Sequence, residues 1–174
     1  VNLKRIANDE LRRRLVVVPQ EPFLFADSIA NNLYFASPTC GESDLKRVIE
    51  QLELTDWVES LPMGLDTFVG QRGSAISAGE RQLIALARAA LTNPDVLILD
   101  EATSAVDAVA EVRLSKALRA ISEGRTTISI AHRLSTAARA DRVIVLEGGV
   151  VTEDGAHDEI LRADGEYAKI YAQW

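Results

Sequence analysis

The chain has 174 residues and a mass of 19.0 kDa, enough for one domain with a buried core. Its 47% apolar and 26% charged residues are those of a soluble globular α or α/β protein and exclude intrinsic disorder. A net charge of -7 and a pI near 4.9 speak against a general nucleic-acid or acidic-membrane binder, because such surfaces carry basic stripes that neutralise phosphate.

Apolar runs such as Val96–Leu99 fall far short of the roughly 18 residues a spanning helix needs, so no transmembrane or signal segment is expected within these residues. The single Cys40 excludes an intrachain disulfide framework and a cysteine-based zinc site, which suits a reducing, cytosolic compartment. The chain begins at Val1 without a methionine and is expected to be a piece of something longer.

In chain order, a basic cluster at Arg12, Arg13 and Arg14 leads into Leu15–Val18, a short β-branched run that ends at Pro19 and reads as a buried strand entering a loop. From Asp27 to about Ser60 the apolar spacing becomes helical, through Ile29 and Leu33 and then Leu45, Val48, Ile49 and Leu52. The turn between Pro38 and Gly41 interrupts it, and the segment reads as a helical insert. Pro62–Ser74 is polar and glycine-rich. Gly79–Leu91 is strongly helical and stops at Asn93-Pro94. Strands are expected at Val96–Leu99, Thr126–Ala131 and Arg142–Leu146, with an amphipathic helix from about Asp107 to Glu123 between the first two. Strand, helix, strand at this spacing means a parallel sheet. Gly148-Gly149 predicts a hairpin turn into Val150–Thr152, and two short helices follow from His157.

Val96–Leu99 is an apolar strand that delivers two adjacent carboxylates, Asp100 and Glu101, at its C-terminal end. Ligands bind at that end of open parallel sheets. Adjacent carboxylates repel unless a cation or a raised pKa accommodates them, so the pair makes sense around Mg²⁺, one residue holding the metal shell and the other positioning water. Two solvated loop acids are the alternative; the apolar tetrad in front of them weighs against it. A second signal is Ser77-Ala78-Gly79-Glu80, where Ser77 and Glu80 have capping-box spacing at the start of a helix. Such a terminus can hold an anion, although most capping boxes are only caps. His132 follows a strand on the same sheet edge as Asp100, which favours function over the structural role usual for a lone histidine. Gln20, just past the first strand, offers an amide oxygen that in isolation would carry no meaning.

These segments occur in one order, and the chain resembles the nucleotide-binding domain of an ATP-binding cassette transporter over essentially its whole length. Leu15–Phe25 looks like the Q-loop strand and loop, Ser77–Gln82 like the family signature, and Val96–Glu101 like Walker B. Ser104–Asp107 looks like the D-loop and Ala131–Arg133 like the switch-histidine loop. Val69–Gly73, Asp100–Asp107 and Ala131–Thr136 are similar to exporters, not importers. The signature departs from the common form, with Ala78 for glycine and Glu80 for glutamine. No stretch matches G-x-x-x-x-G-K-[ST], and none of Lys4, Lys46, Lys116 and Lys169 follows a glycine. The phosphate loop is therefore expected upstream of Val1.

The resemblance implies a P-loop NTPase-like α/β fold, a parallel sheet core with a helical signature subdomain inserted. It implies that the N-terminal strands and phosphate loop are absent, that about 1–20 and 93–174 form the core, and that about 24–92 form the helical part. It implies ATP and Mg²⁺ as cofactors, a second nucleotide-binding domain as homo- or heterodimer partner, a transmembrane domain fused upstream, no nucleic acid, and a place on the cytoplasmic face of a membrane. In the implied mechanism Asp100 and Gln20 hold Mg²⁺, Glu101 is the general base and His132 contacts the γ-phosphate. Ser77, Ala78, Gly79 and Glu80 face the nucleotide of the opposite domain, and Asp107 connects the two sites. Two other readings stand beside it: a soluble cassette ATPase of DNA repair or translation, and a non-hydrolysing half of a heterodimeric transporter.

With acids, one amide and one helix terminus but no phosphate loop, these 174 residues by themselves are expected to be inactive and to bind Mg-ATP weakly or not at all. Calorimetric titration checks this; micromolar affinity in the isolated chain contradicts it.

Overall fold

The computed structural model describes residues 3–100, 108–131 and 134–173. The chain divides into two compact units, Val1–Ile130 and Ala131–Trp174.

In the first unit, helix α1 (Asn8–Arg14) carries Asp9 and Glu10 in its first turn and Arg12, Arg13 and Arg14 in its last, each sign complementing the helix dipole. This helix was not expected from the sequence, whose basic cluster is its C-terminal turn. It runs directly into β1 (Leu15–Val18). Three helices follow, α2 (Ile29–Tyr34), α3 (Glu42–Gln51) and α4 (Thr55–Ser60), and the Pro38–Gly41 turn separates α2 from α3 as the spacing predicts. The Ser28 hydroxyl caps α2 by accepting from the Asn31 N–H at 3.1 Å. Helix α5 (Ala78–Thr92) ends where Asn93 adopts a left-handed conformation, φ 47°, and Pro94 cannot continue the hydrogen-bond ladder.

Strand β2 (Val96–Asp100), helix α6 (Ala108–Ser122) and strand β3 (Thr126–Ile130) complete the unit. The sheet order is β1-β2-β3 and both pairings are parallel, as strand-helix-strand spacing requires. The register sets Val18 opposite Leu99 and Asp100 opposite Ile130, so all three strands finish at one edge. A single hydrophobic core joins the sheet to the helical segment. Leu24, Ile29, Leu45, Leu83, Leu97 and Leu114 are fully buried within it, and each is worth about 1.5–3 kcal/mol of burial.

In the second unit, α7 (Leu134–Ala137) precedes an antiparallel hairpin of β4 (Val143–Glu147) and β5 (Val150–Gly155). Gly148 and Gly149 take φ of 58° and 82°, the two left-handed positions that a tight hairpin turn demands. Helices α8 (His157–Arg162) and α9 (Glu166–Ala172) pack Ile160 and Tyr167 against Val143 and Val145. Thus the β4-β5 pair forms a sheet separate from β1-β2-β3. The sequence leads to the expectation that the slot beside β3 is filled by a segment of this chain, such as Val1–Ile6, or of a neighbouring copy, or that the sheet is split or rearranged. Leu3–Arg5 is a short 3-10 helix, lacking the extended backbone a filling strand needs, and among the described residues β3 pairs with β2 only. No helix of the described residues is long and apolar enough to cross a membrane.

Asn32 is 0% exposed and joins α2 to the chain before it: its Oδ1 accepts from the Phe25 N–H at 2.9 Å, and its Nδ2 donates to the Phe25 and Ser28 carbonyls. Asn32→Ala strands these buried groups and is expected to cost about 2–4 kcal/mol, read by denaturant unfolding.

Candidate nucleotide-facing site

The carboxyl edge of the first sheet carries two of the predicted residues, Asp100 and Gln20. Asp100 is the last residue of β2 and half-buried, and Gln20 stands two residues beyond β1 with its side chain exposed. Strand β3 ends at Ile130, opposite Asp100. Glu101, Asp107 and His132 lie outside the described residues. Asp100 and Gln20 supply hard oxygen donors, the type Mg²⁺ takes from a protein when it keeps waters and binds phosphates as well. Among the described residues no group of three or more His, Cys, Asp or Glu is arranged to hold a metal. The chemistry of Asp100 and Gln20 fits Mg²⁺ held together with water and nucleotide.

The signature segment is set by the turn before it. Gly70 and Gly73 have φ of 78° and 77°. A Cβ on Gly73 would stand 2.7 Å from the Arg81 Cδ and 3.2 Å from the Leu24 side chain, so the position needs both the left-handed backbone and the missing side chain. Arg81 then fastens this turn, its Nη1 donating to the Ile76 carbonyl at 3.0 Å and to that of Gly73 at 3.3 Å.

Ser77 and Glu80 form the predicted capping box of α5. The Glu80 N–H donates to Ser77 Oγ at 3.2 Å, and the Ser77 N–H donates to Glu80 Oε2 at 2.8 Å. Helix geometry leaves the Ala78 and Gly79 amides without intrahelical acceptors. The second carboxylate oxygen, Oε1, accepts from the indole Nε1–H of Trp57 at 3.2 Å. Burial pushes the Glu80 carboxyl up, but the Ser77 backbone N–H, the Trp57 indole, the Ser77 side chain and the charge of Arg113 together hold it below the ordinary glutamate value. Its contribution to stability is therefore complete above the ordinary range and is lost as pH falls through the lowered value.

Two side chains that sequence reasoning missed tie α5 to the loop carrying Gln20. Gln82 is 5% exposed, and its Nε2 donates to the carbonyls of Pro19, at 3.2 Å, and Gln20. Arg88 donates from Nη1 to the Phe23 carbonyl at 2.6 Å, from Nε to the Asn32 carbonyl at 2.8 Å and from Nη2 to Asn32 Oδ1 at 2.6 Å. Burial lowers the pKa of Arg88 from the usual arginine value, and three acceptors face the cation that remains. A signal was available: two polar residues six positions apart in Gln82–Leu91, a stretch otherwise composed of Leu, Ile and Ala. Past the tether, Phe23, Phe25 and Phe35 form an exposed aromatic cluster, with centroids 5.1 Å and 4.2 Å apart along the chain of contacts.

The same architecture is found in known proteins. The solved structure of a bacterial Atm1-family ABC exporter with ATP bound superposes with a TM-score of 0.88 at 39% identity, covering 98% of this chain and 30% of that one. The ATP-dependent lipid A-core flippase of Ralstonia nicotianae is 46% identical over 172 residues, 97% of this chain and 29% of the flippase. That of Syntrophus aciditrophicus is 42% identical over 98% of this chain and 28% of its own length, and the heterocyst differentiation ATP-binding protein HepA of Nostoc is 42% identical over 94% of the chain. The chain thus spans about 30% of the length of such relatives. The sequence model of the ABC transporter family accounts for residues 1–104 in one stretch, from the chain's start through the strand that ends in Asp100. The chain belongs to the ABC transporter family.

Proposed function

We propose that this chain is part of the ATP-hydrolysing motor domain of an exporter-type ABC transporter, with residues 1–20 and 93–174 as core and about 24–92 as the helical part. The observation that carries the proposal is the tether within the first unit: Gln82 of the signature helix bonds the main chain at Gln20, while the strand before Gln20 lies beside the strand that ends in Asp100. The helix that starts beside Ser77 is thereby bonded to the loop that carries Gln20.

Mg²⁺, when bound with ATP, supplies charge that offsets the developing negative charge on the transferred phosphoryl. Asp100 and Gln20 would hold it. Glu101, next after Asp100, would take the proton of the attacking water at its carboxylate, and His132 would donate to a γ-phosphate oxygen. Ser77 Oγ and the Ala78 and Gly79 amides would donate to the γ-phosphate of a nucleotide bound on a second such domain. Glu80 contributes as the cap that aims those amides, and Asp107 would connect the two sites. The engagement of both Glu80 oxygens by Ser77 and Trp57 supports a working signature over a non-hydrolysing half. The cluster of Phe23, Phe25 and Phe35, adjacent to the Gln20 loop, is the surface we assign to the membrane domain. The full protein then works at the cytoplasmic face of a membrane, and the flippases among its relatives support export with the cargo chosen by the membrane domain.

In the full-length protein Glu101→Gln should retain ATP binding and trap a closed dimer while turnover falls by about 10²-fold or more, measured by phosphate release. Near-normal hydrolysis removes Glu101 from the role of base. His132→Ala should lower turnover by a similar order with an unchanged melting temperature. A large loss of thermal stability at unchanged activity would instead make the histidine structural.

A further inference from the structure

Trp57 sits on α4 with 2% of its surface exposed and belongs to the main core. An indole buried to that degree has one polar atom, and its N–H needs an acceptor. It finds Glu80 Oε1 at 3.2 Å, 23 residues further along the chain. Oε2 of the same carboxylate accepts from the Ser77 N–H at 2.8 Å. Each oxygen thus receives a separate donor, one from the core and one from the helix cap.

We propose that Trp57 is a positioning residue for the signature, acting through Glu80 to hold Ser77 and the first amides of α5 in their phosphate-facing arrangement. The inference rests on the reading of Ser77 and Gly79 as phosphate contacts. Its logic is a count of donors and acceptors. A carboxylate is acceptor-only and can serve both N–H groups at once; a glutamine amide has one oxygen, and its NH₂ would face whichever donor the oxygen does not serve. Glutamate at position 80 and tryptophan at position 57 are therefore a matched pair. With the indole N–H removed, one carboxylate oxygen loses its donor, and the charge becomes free to turn towards the triphosphate and repel it.

The test measures ATPase activity against ATP concentration in the full-length protein, in Trp57→Phe, Glu80→Gln, the double variant and Ser77→Arg. Trp57→Phe keeps the aromatic packing and deletes the donor. It should raise KM for ATP about 5-fold with kcat within about 2-fold of the parent. Glu80→Gln, which faces a donor with a donor, should raise KM by a similar factor of about 5. In the double variant the phenylalanine no longer donates and the glutamine oxygen can cap Ser77, so KM should return to within about 2-fold of the parent. A merely structural tryptophan does not produce that rescue. Unchanged KM in Trp57→Phe, or a double variant that shows the product of the single effects, overturns the inference while loss of turnover in Ser77→Arg leaves the phosphate reading standing. Unaltered kinetics in Ser77→Arg overturns that reading and the inference with it. Should Trp57→Phe not fold, Glu80→Gln decides alone, and an unchanged KM there overturns the inference.

Discussion

Burial of helix α5 is the constraint on which the first unit depends. Leu83, Ile84 and Leu86 are fully buried, and Ala85, Ala87, Ala89 and Ala90 nearly so, because the helix is packed against β1, α2, α3 and α6 at once. A helix covered on so many sides has little solvent left for polar side chains. Gln82 and Arg88 can occupy it only because main-chain carbonyls at Pro19, Gln20, Phe23 and Asn32 accept from them. The loop after β1 is correspondingly bound along its length by the same helix that carries Ser77 at its start. A displacement of α5 cannot leave the Gln20 loop where it was without breaking these hydrogen bonds.

Most of the fold was legible in the sequence because its signals are local. The 3.6-residue spacing of Leu45, Val48, Ile49 and Leu52 gives α3 whatever else surrounds it, and Asn93-Pro94 and Gly148-Gly149 carry their backbone geometry within two residues. The capping box at Ser77 is equally local, and its geometry is the predicted one. Helix α1 was missed for a related reason: its seven residues contain a single leucine and no apolar stripe, so its helicity rests on charges at the two ends.

The candidate site was legible as a set of residues and not as a mechanism of support. Asp100 and Gln20 could be placed on one edge because a parallel sheet aligns its strand ends. What holds them is non-local. Gln82 reaches a carbonyl 63 residues away, Arg88 one 65 residues away, and Trp57 a carboxylate 23 residues away. No spacing rule connects such pairs, since each bond exists only after α5 has been buried. The glutamate in the signature shows the difference. Sequence reasoning sees a negative charge close to where a triphosphate would lie; the folded chain shows both oxygens occupied by donors and the carboxyl held below its ordinary pKa.

Strand β3 and the hairpin pose the reverse case, in which composition predicts more burial than is found. Ile128 and Ile130 lie two residues apart, hence on one face of β3, and are 52% and 50% exposed. On the hairpin, Leu146 lies opposite Val151 and both are exposed, as are Ile144 and Val150. Residues of this kind lower the free energy of a strand only when a packed layer covers them, because apolar side chains standing in water contribute nothing to the hydrophobic term. Isoleucine and valine recur in the strands of both units. Their β-branched side chains still favour extended backbone, which is sufficient for β3 to pair in register with β2 and for β4 to pair with β5. Pairing and covering are thus separate requirements, and the local one is met here by intrinsic preference.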